Sequence, residues 1–216
     1  VDSVKFSSSK KKLIIFDFDG VILDSMDIKA QAFVDVLSEV RPLQPREAEY
    51  VKNYHFENGG KNRSQKFEHY VESLNLPVGR HYEHLFGERV TQLLLTSDYV
   101  PGAREFISTY SAHYKFYVAS GAPHEELIHL LTQRHFEQNF VEIYGYPHAK
   151  TWVIHKALKD WSYEPSSAFM VGDSMTDYSA AMTSGVDFVG VVRHSPNPFP
   201  KNTLCIKNLM ELETLL

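Results

Sequence analysis

Five short apolar runs punctuate the chain: "LIIF" at 13–16, "KFYVA" at 115–119, "VEIY" at 141–144, "AFMV" at 168–171 and "DFVGVV" at 187–192. They are continuous rather than alternating, as strands buried on both faces read. Between most of them lie "GAREFISTYSAH", "PHEELIHLLTQRHF", "TWVIHKALKDW" and "MTDYSAAMTSG", each with apolar residues at helical spacing. This strand–helix alternation predicts an α/β fold built on a doubly wound parallel sheet.

The stretch 24–98 breaks the alternation. It holds helical patterns and no convincing strand. In "SQKFEHYVESL", Phe67, Tyr70, Val71 and Leu74 share one face, and Ser64 stands where an N-cap would. "RPLQP" and "NLPVGR" read as turns between helices. The expectation is an all-helical insertion over 24–98, set in an α/β core of 12–23 and 99–216. Its hinges fall near Leu23–Ser25 and Thr96–Gly102. The start, "VDSVKFSSSKKK", lacks the apolar centre of a signal peptide and an initiating Met, and residues before Lys12 carry no weight in this reading.

Composition narrows the class. Hydrophobic residues make up 43% and charged residues 23%, an ordinary soluble balance. A net charge of -5 argues against a general nucleic-acid surface. No apolar stretch approaches the roughly 18 residues of a membrane span. The single cysteine, Cys205, excludes an intramolecular disulfide and fits a reducing interior such as the cytoplasm; a monomer or weak dimer is the expected state.

The polar residues fall at strand ends. Asp17 follows the first apolar run and Asp19 comes two residues later. Ser120 and Gly121 follow "KFYVA"; Gly172 and Asp173 follow "AFMV", with Asp177 one helical turn on. Ligands in open α/β sheets bind beyond the carboxyl ends of the strands. Each acid alone reads as a helix cap or a turn residue: Asp24 and Ser25 as caps of the first insertion helix, Asp173 as a cap near Ser174, Asp19 before Gly20 as a turn. Lys150 alone reads as a solvated lysine. Together, two acids paired with a second distant pair are harder to explain as caps. Neighbouring buried carboxylates repel, and a cation is the simplest compensation.

These motifs resemble the haloacid dehalogenase (HAD) superfamily. "FDFDGVILDS" is similar to its first motif, "VASGAP" to the second, Lys150 in "YGYPHAKTWVI" to the third-motif lysine, and "VGDSMTDYSAAMTSG" to the fourth. All four occur in order, and the insertion after the first resembles the cap of the subgroup holding phosphoglycolate phosphatase, β-phosphoglucomutase and phosphonatase. The resemblance implies an enzyme that hydrolyses a small phosphorylated metabolite, with a sugar phosphate the first candidate. Asp17 would be the nucleophile and Asp19 the acid and base. Mg²⁺ would be bound by Asp17, the Asp19 carbonyl and Asp173, with Asp177 orienting a metal-bound water. Lys150 would bridge Asp17 and the phosphate, which Ser120, Gly121, Ala122 and amides from Phe18 onward would hold.

Within the cap, "HFENGGKNRSQKF" is the most informative stretch. Gly59 and Gly60 can bring backbone close to a ligand. His55, Arg63 and Lys66 are candidates to reach the substrate, with Arg63 and the glycines favoured, while Lys61 reads as surface. The bland reading is a loop and a solvated basic helix start. Between 24 and 98 stand nine Lys/Arg against twelve Asp/Glu, so anion selectivity there must be local. Three other functions compete. In a β-phosphoglucomutase-type mutase, the subgroup pattern has an acid where this chain has Gly172 and none at the position of Asp177. A phosphonatase would use a cap lysine, Lys61 or Lys66, as a Schiff base. A non-catalytic binding or regulatory protein would have no need of the whole acid, serine and lysine set.

Overall fold

The computed structural model describes residues 10–78, 81–193 and 196–216. The sequence start before Lys10 and the end of the "NLPVGR" turn, Gly79–Arg80, lie outside the described residues. Among the described residues, six strands form one sheet in the order β3-β2-β1-β4-β5-β6. They are β1 (Leu13–Phe16), β2 (Lys115–Pro123), β3 (Glu142–Tyr146), β4 (Ala168–Gly172), β5 (Asp187–Val191) and β6 (Cys205–Ile206). Every pairing is parallel. The first five match the apolar runs. The two-residue β6 is too short to have a sequence period.

Alternation along the strands divides two cores. Ile14 and Phe16 pack with Phe116, Val118, Phe169 and Val171 on one face. Leu13 and Ile15 pack with Tyr117, Ala119, Ala168 and Met170 on the other. Both faces are apolar because both are covered.

Among the described residues, four helices fill the insertion: α1 (Met26–Val40), α2 (Pro45–Glu57), α3 (Arg63–Ser73) and α4 (His81–Leu95). In α1, Ala30, Phe33, Val34 and Leu37 recur at helical spacing and are buried. Asn62 caps α3, its side chain accepting the Gln65 amide at 3.0 Å. This corrects the expectation for Ser64: the Ser64 hydroxyl lies inside the helix and donates to Glu83 instead. The core helices are α5 (Ala103–Tyr110), α6 (His124–Gln133), α7 (Lys150–Trp161) and α8 (Met175–Ser184).

The two connections into the insertion run side by side. Leu23 and Tyr99 form an antiparallel bridge. The Asp24 amide donates to the Asp98 carbonyl at 3.0 Å, and the Val100 amide to the Ile22 carbonyl at 3.0 Å. Chain order reverses around β1: β2 and β3 lie to one side, β4 to β6 to the other. The crevice of a doubly wound sheet forms at such a reversal. Among the described residues, no helix is long and apolar enough to cross a membrane.

Candidate active site

Asp17 leaves the end of β1 and is 6% exposed. Its Oδ1 accepts the Phe18 amide at 2.7 Å, so that amide, expected to serve phosphate, is turned to Asp17. Lys150 opens α7 and reaches back across the sheet end. Its Nζ lies 3.0 Å from Asp17 Oδ2 and 2.5 Å from Asp177 Oδ1. Lys150 is therefore not a solvated surface group. Burial opposes its charge, but Asp17 and Asp177 outweigh that and hold its pKa above the ordinary lysine value.

Asp177 is fully buried, and both its oxygens have protein partners. Lys150 occupies Oδ1, while the Ser174 hydroxyl and amide donate to Oδ2 at 2.5 and 3.1 Å. The cap of α8 is thus Ser174, not Asp173. Carboxylate oxygens of Asp17, Asp173 and Asp177 all lie within 4.8 Å of one another. Burial, then Asp177, pushes the Asp17 carboxyl up to about 7. Burial, then Asp17, raises Asp173 well above the usual range. Three crowded carboxylates, two of them destabilised as anions, fit a site for a divalent cation.

Asp19 stands apart from this cluster. The Ser25 hydroxyl donates to its Oδ1 at 2.6 Å, and Lys29 Nζ lies 2.5 Å from its Oδ2. Burial opposes ionisation here too, but Lys29 and Ser25 win and hold the carboxyl below its usual value. Ser25 occupies the N-cap position of α1, yet its hydroxyl makes no cap bond. Asp24, the other expected cap, pairs with Arg193 at 2.7 Å.

A compact cavity of about 60 Å³ lies between the insertion and the sheet end. From the core it is lined by Asp17, Asp19, Gly121, Ala122, Lys150 and Asp173. From the insertion come His55, Gly59, Gly60, Arg63 and Lys66, so all five cap candidates meet the acids. Ser120 lies just outside, lining the adjoining groove with Lys150. Its hydroxyl accepts the Ala122 amide at 3.1 Å. Ser120 and Gly121 stand within β2 rather than after it, where the register with β3 shifts.

The glycines are used differently. A Cβ on Gly60 would lie 2.1 Å from Thr176 on α8, so Gly60 lets the insertion approach the core. Gly59 has ordinary room toward Ser174. Arg63 grips the core rather than the open cavity. Its guanidinium meets both Glu126 oxygens, at 3.0 and 2.5 Å, and lies 5.0 Å over the Phe86 ring. His55 and Lys66 are each only 3% exposed, so this is no solvated helix start.

Sequence reasoning missed Met26, Lys29, Phe33 and Phe86, which also line the cavity. A signal existed for Lys29: it shares the inward stripe of α1 with Met26 and Phe33. A lysine on an apolar stripe needs a partner, and here that partner is Asp19.

The fold is a doubly wound α/β sheet with a cluster of acids at the carboxyl ends of its strands. The family model for haloacid dehalogenase-like hydrolases matches residues 14–191, and the chain belongs to that family. No curated protein matches the chain. A predicted phosphoglycolate phosphatase from Haemophilus somnus has a similar structure, with a TM-score of 0.79 at 19% identity over 96% of this chain and 99% of that one. YfnB from Bacillus subtilis, bound to magnesium, gives 0.75 at 17% over 96% and 99%. CbbY from Rhodobacter sphaeroides, in complex with phosphate, gives 0.74 at 16% over 94% and 96%. At these identities the likeness is one of fold.

Proposed function

We propose that this hydrolase is a Mg²⁺-dependent phosphatase acting on a small phosphorylated metabolite, a sugar phosphate being the first candidate, through an aspartyl-phosphate. The observation that carries this reading is Asp17 at the end of β1, joined to Lys150 and crowded by Asp173. A carboxylate there can attack phosphorus, dividing one hard displacement into two.

Asp17 forms the new oxygen–phosphorus bond as the bond to the leaving oxygen breaks. Asp19 gives that oxygen a proton, then takes one from the water that releases phosphate and restores Asp17. Because Lys29 and Ser25 hold Asp19 ionised, the first step requires Asp19 to exchange these partners for a proton when substrate enters. Lys150 balances the charge of Asp17 and of the phosphoryl oxygens. Gly121 supplies an amide, and the Ala122 amide, donated to the Ser120 hydroxyl at 3.1 Å, turns to the phosphate only by leaving Ser120. A divalent cation held by Asp17, the Asp19 carbonyl and Asp173, with Asp177 behind them, would draw charge from the phosphoryl group and keep the acids ionised.

The mutase reading meets an obstacle at Gly172. A Cβ there would lie 2.1 Å from the Asp177 Cβ, so an acid at 172 has no room beside Asp177. Hydrolysis of p-nitrophenyl phosphate tests the proposal. Turnover should require Mg²⁺ or a close substitute, and EDTA should abolish it. No turnover with any divalent metal would leave the binding-protein reading in its place.

A further inference from the structure

The cations around the cavity are not equivalent. Lys150 pairs with Asp17 and Asp177, Lys29 with Asp19, and Arg63 with Glu126. Lys61 is exposed and donates to the Tyr54 hydroxyl at 2.7 Å. Lys66 is different. It is buried, it lines the cavity, and among the described residues no carboxylate pairs with it. Its Nζ is in hydrogen-bond contact with His55 Nδ1 at 2.9 Å and lies 5.8 Å over the Phe33 ring. His55 Nε2 is buried and, among the described residues, has no hydrogen-bond partner.

A buried ammonium without a counter-ion is expensive to hold charged. Burial, then the charge of Lys29, lowers Lys66 to about 7 against the opposing pull of Asp19 and Asp173, neither of which pairs with it. A polar neutral leaving group does nothing for this imbalance, whereas an anion relieves it. We infer that Lys66, oriented by His55, selects substrates whose leaving group carries a second anionic group, a carboxylate or another phosphate. This rests on the phosphatase reading and narrows it: Asp17, Lys150 and Asp173 take the reacting phosphoryl group, and Lys66 takes the far end. Arg63, the stronger candidate from sequence, is already engaged by Glu126.

The test uses the full chain with Mg²⁺ and two readouts. Binding is measured calorimetrically for propylphosphonate, 3-phosphonopropionate and propane-1,3-bisphosphonate, which share one phosphonate and differ in the far group. At least one anionic ligand should bind about 10-fold or more tighter than propylphosphonate, the worth of one good charge-assisted bond. Which one does so separates carboxylate from phosphate. Lys66→Met should erase the preference and Lys66→Arg should retain part of it. Hydrolysis of a phosphorylated hydroxy acid, a bisphosphate and a neutral polyol phosphate should follow the same order in kcat/KM. Equal binding of all three phosphonates by the wild-type protein overturns the inference, whether or not the Lys66 variants fold. A clear binding preference with no turnover of any phosphomonoester sustains the anion subsite and overturns the phosphatase reading.

Discussion

Gly172 and Asp177 occupy interlocking space: a Cβ at 172 would fall 2.1 Å from the Asp177 Cβ and 2.4 Å from its carboxyl carbon. The first turn of α8 can therefore bring Asp177 against the end of β4 only because residue 172 has no side chain. Asp177 in turn holds Lys150 at 2.5 Å and the start of α8 through Ser174.

Gly172→Ala should push Asp177 out of this position. Overpacking of a tight core typically costs about 1–3 kcal/mol. For a chain of this size each kcal/mol lowers Tm by about 2–4 °C. Activity should fall more steeply than stability, because Lys150 loses a partner. A Gly172→Ala protein with wild-type Tm and kcat would show that the backbone yields freely here.

Arg63 and Glu126 tie the insertion to α6. The pair is bidentate, but Glu126 is 37% exposed, so its worth lies between that of a surface and a buried bridge, about 1 kcal/mol. If the contact acts by holding the insertion closed, Arg63→Ala and Glu126→Ala should reduce kcat/KM alike, on p-nitrophenyl phosphate as well as on larger substrates. The double variant should lose little more than either single one. A loss confined to Arg63→Ala, and only with larger substrates, would return Arg63 to direct substrate contact.

The sheet and the core acids were legible because their signals are local. A continuous apolar run marks a strand covered on both faces, and Asp17, Ser120 and Asp173 stand at or near the ends of three of them. The partners of those acids were less visible. Lys29 is half-buried and Lys66 buried by helices whose packing depends on residues far along the chain, such as Phe86. Ser25 and Asn62 show the same limit at the scale of one turn. Both are cap-forming types, yet Asp19 captured the Ser25 hydroxyl, while Asn62 displaced Ser64 as the cap of α3. Arg63 lines the cavity with the acids, but its Glu126 partner lies 63 residues away.

The proposed nucleophile has a direct check. Asp17→Asn preserves shape and hydrogen-bonding capacity but removes the attacking carboxylate. Turnover should fall below about a thousandth of wild type, as for other enzymes that lose a nucleophile. The wild-type protein should form a mass adduct with beryllium fluoride that the variant does not. Hydrolysis by Asp17→Asn within a few-fold of wild type would move the chemistry to another group.

Asp173 and Asp177 should differ as metal partners. Asp173 lines the cavity, whereas both Asp177 oxygens already have protein partners. Asp173→Asn should therefore weaken Mg²⁺ binding more than Asp177→Asn does. The Asp177 variant should lose about 10–100-fold in affinity or activity, the usual range for groups that orient a metal's ligands. Isothermal titration with Mg²⁺ decides the order, and the reverse ranking would make Asp177 the direct ligand.

Metal binding should also change how stability depends on pH. The Asp17 carboxyl is raised to about 7 by burial and then by Asp177, and Asp173 is raised by burial and then by Asp17. Between the ordinary carboxylate value near 4 and about 7, the metal-free folded protein holds protons that the unfolded chain has released. These two groups therefore stabilise the fold at low pH, and that contribution is lost as pH rises through the folded value. A divalent cation reverses the balance, since it binds the ionised acids and competes with their protons. Saturating Mg²⁺ should raise Tm by about 5 °C or more near pH 8 and by less than about 2 °C near pH 5. Asp173→Asn should abolish the rise at pH 8. An equal rise at both pH values would mean that Mg²⁺ stabilises the protein somewhere other than this cluster of acids.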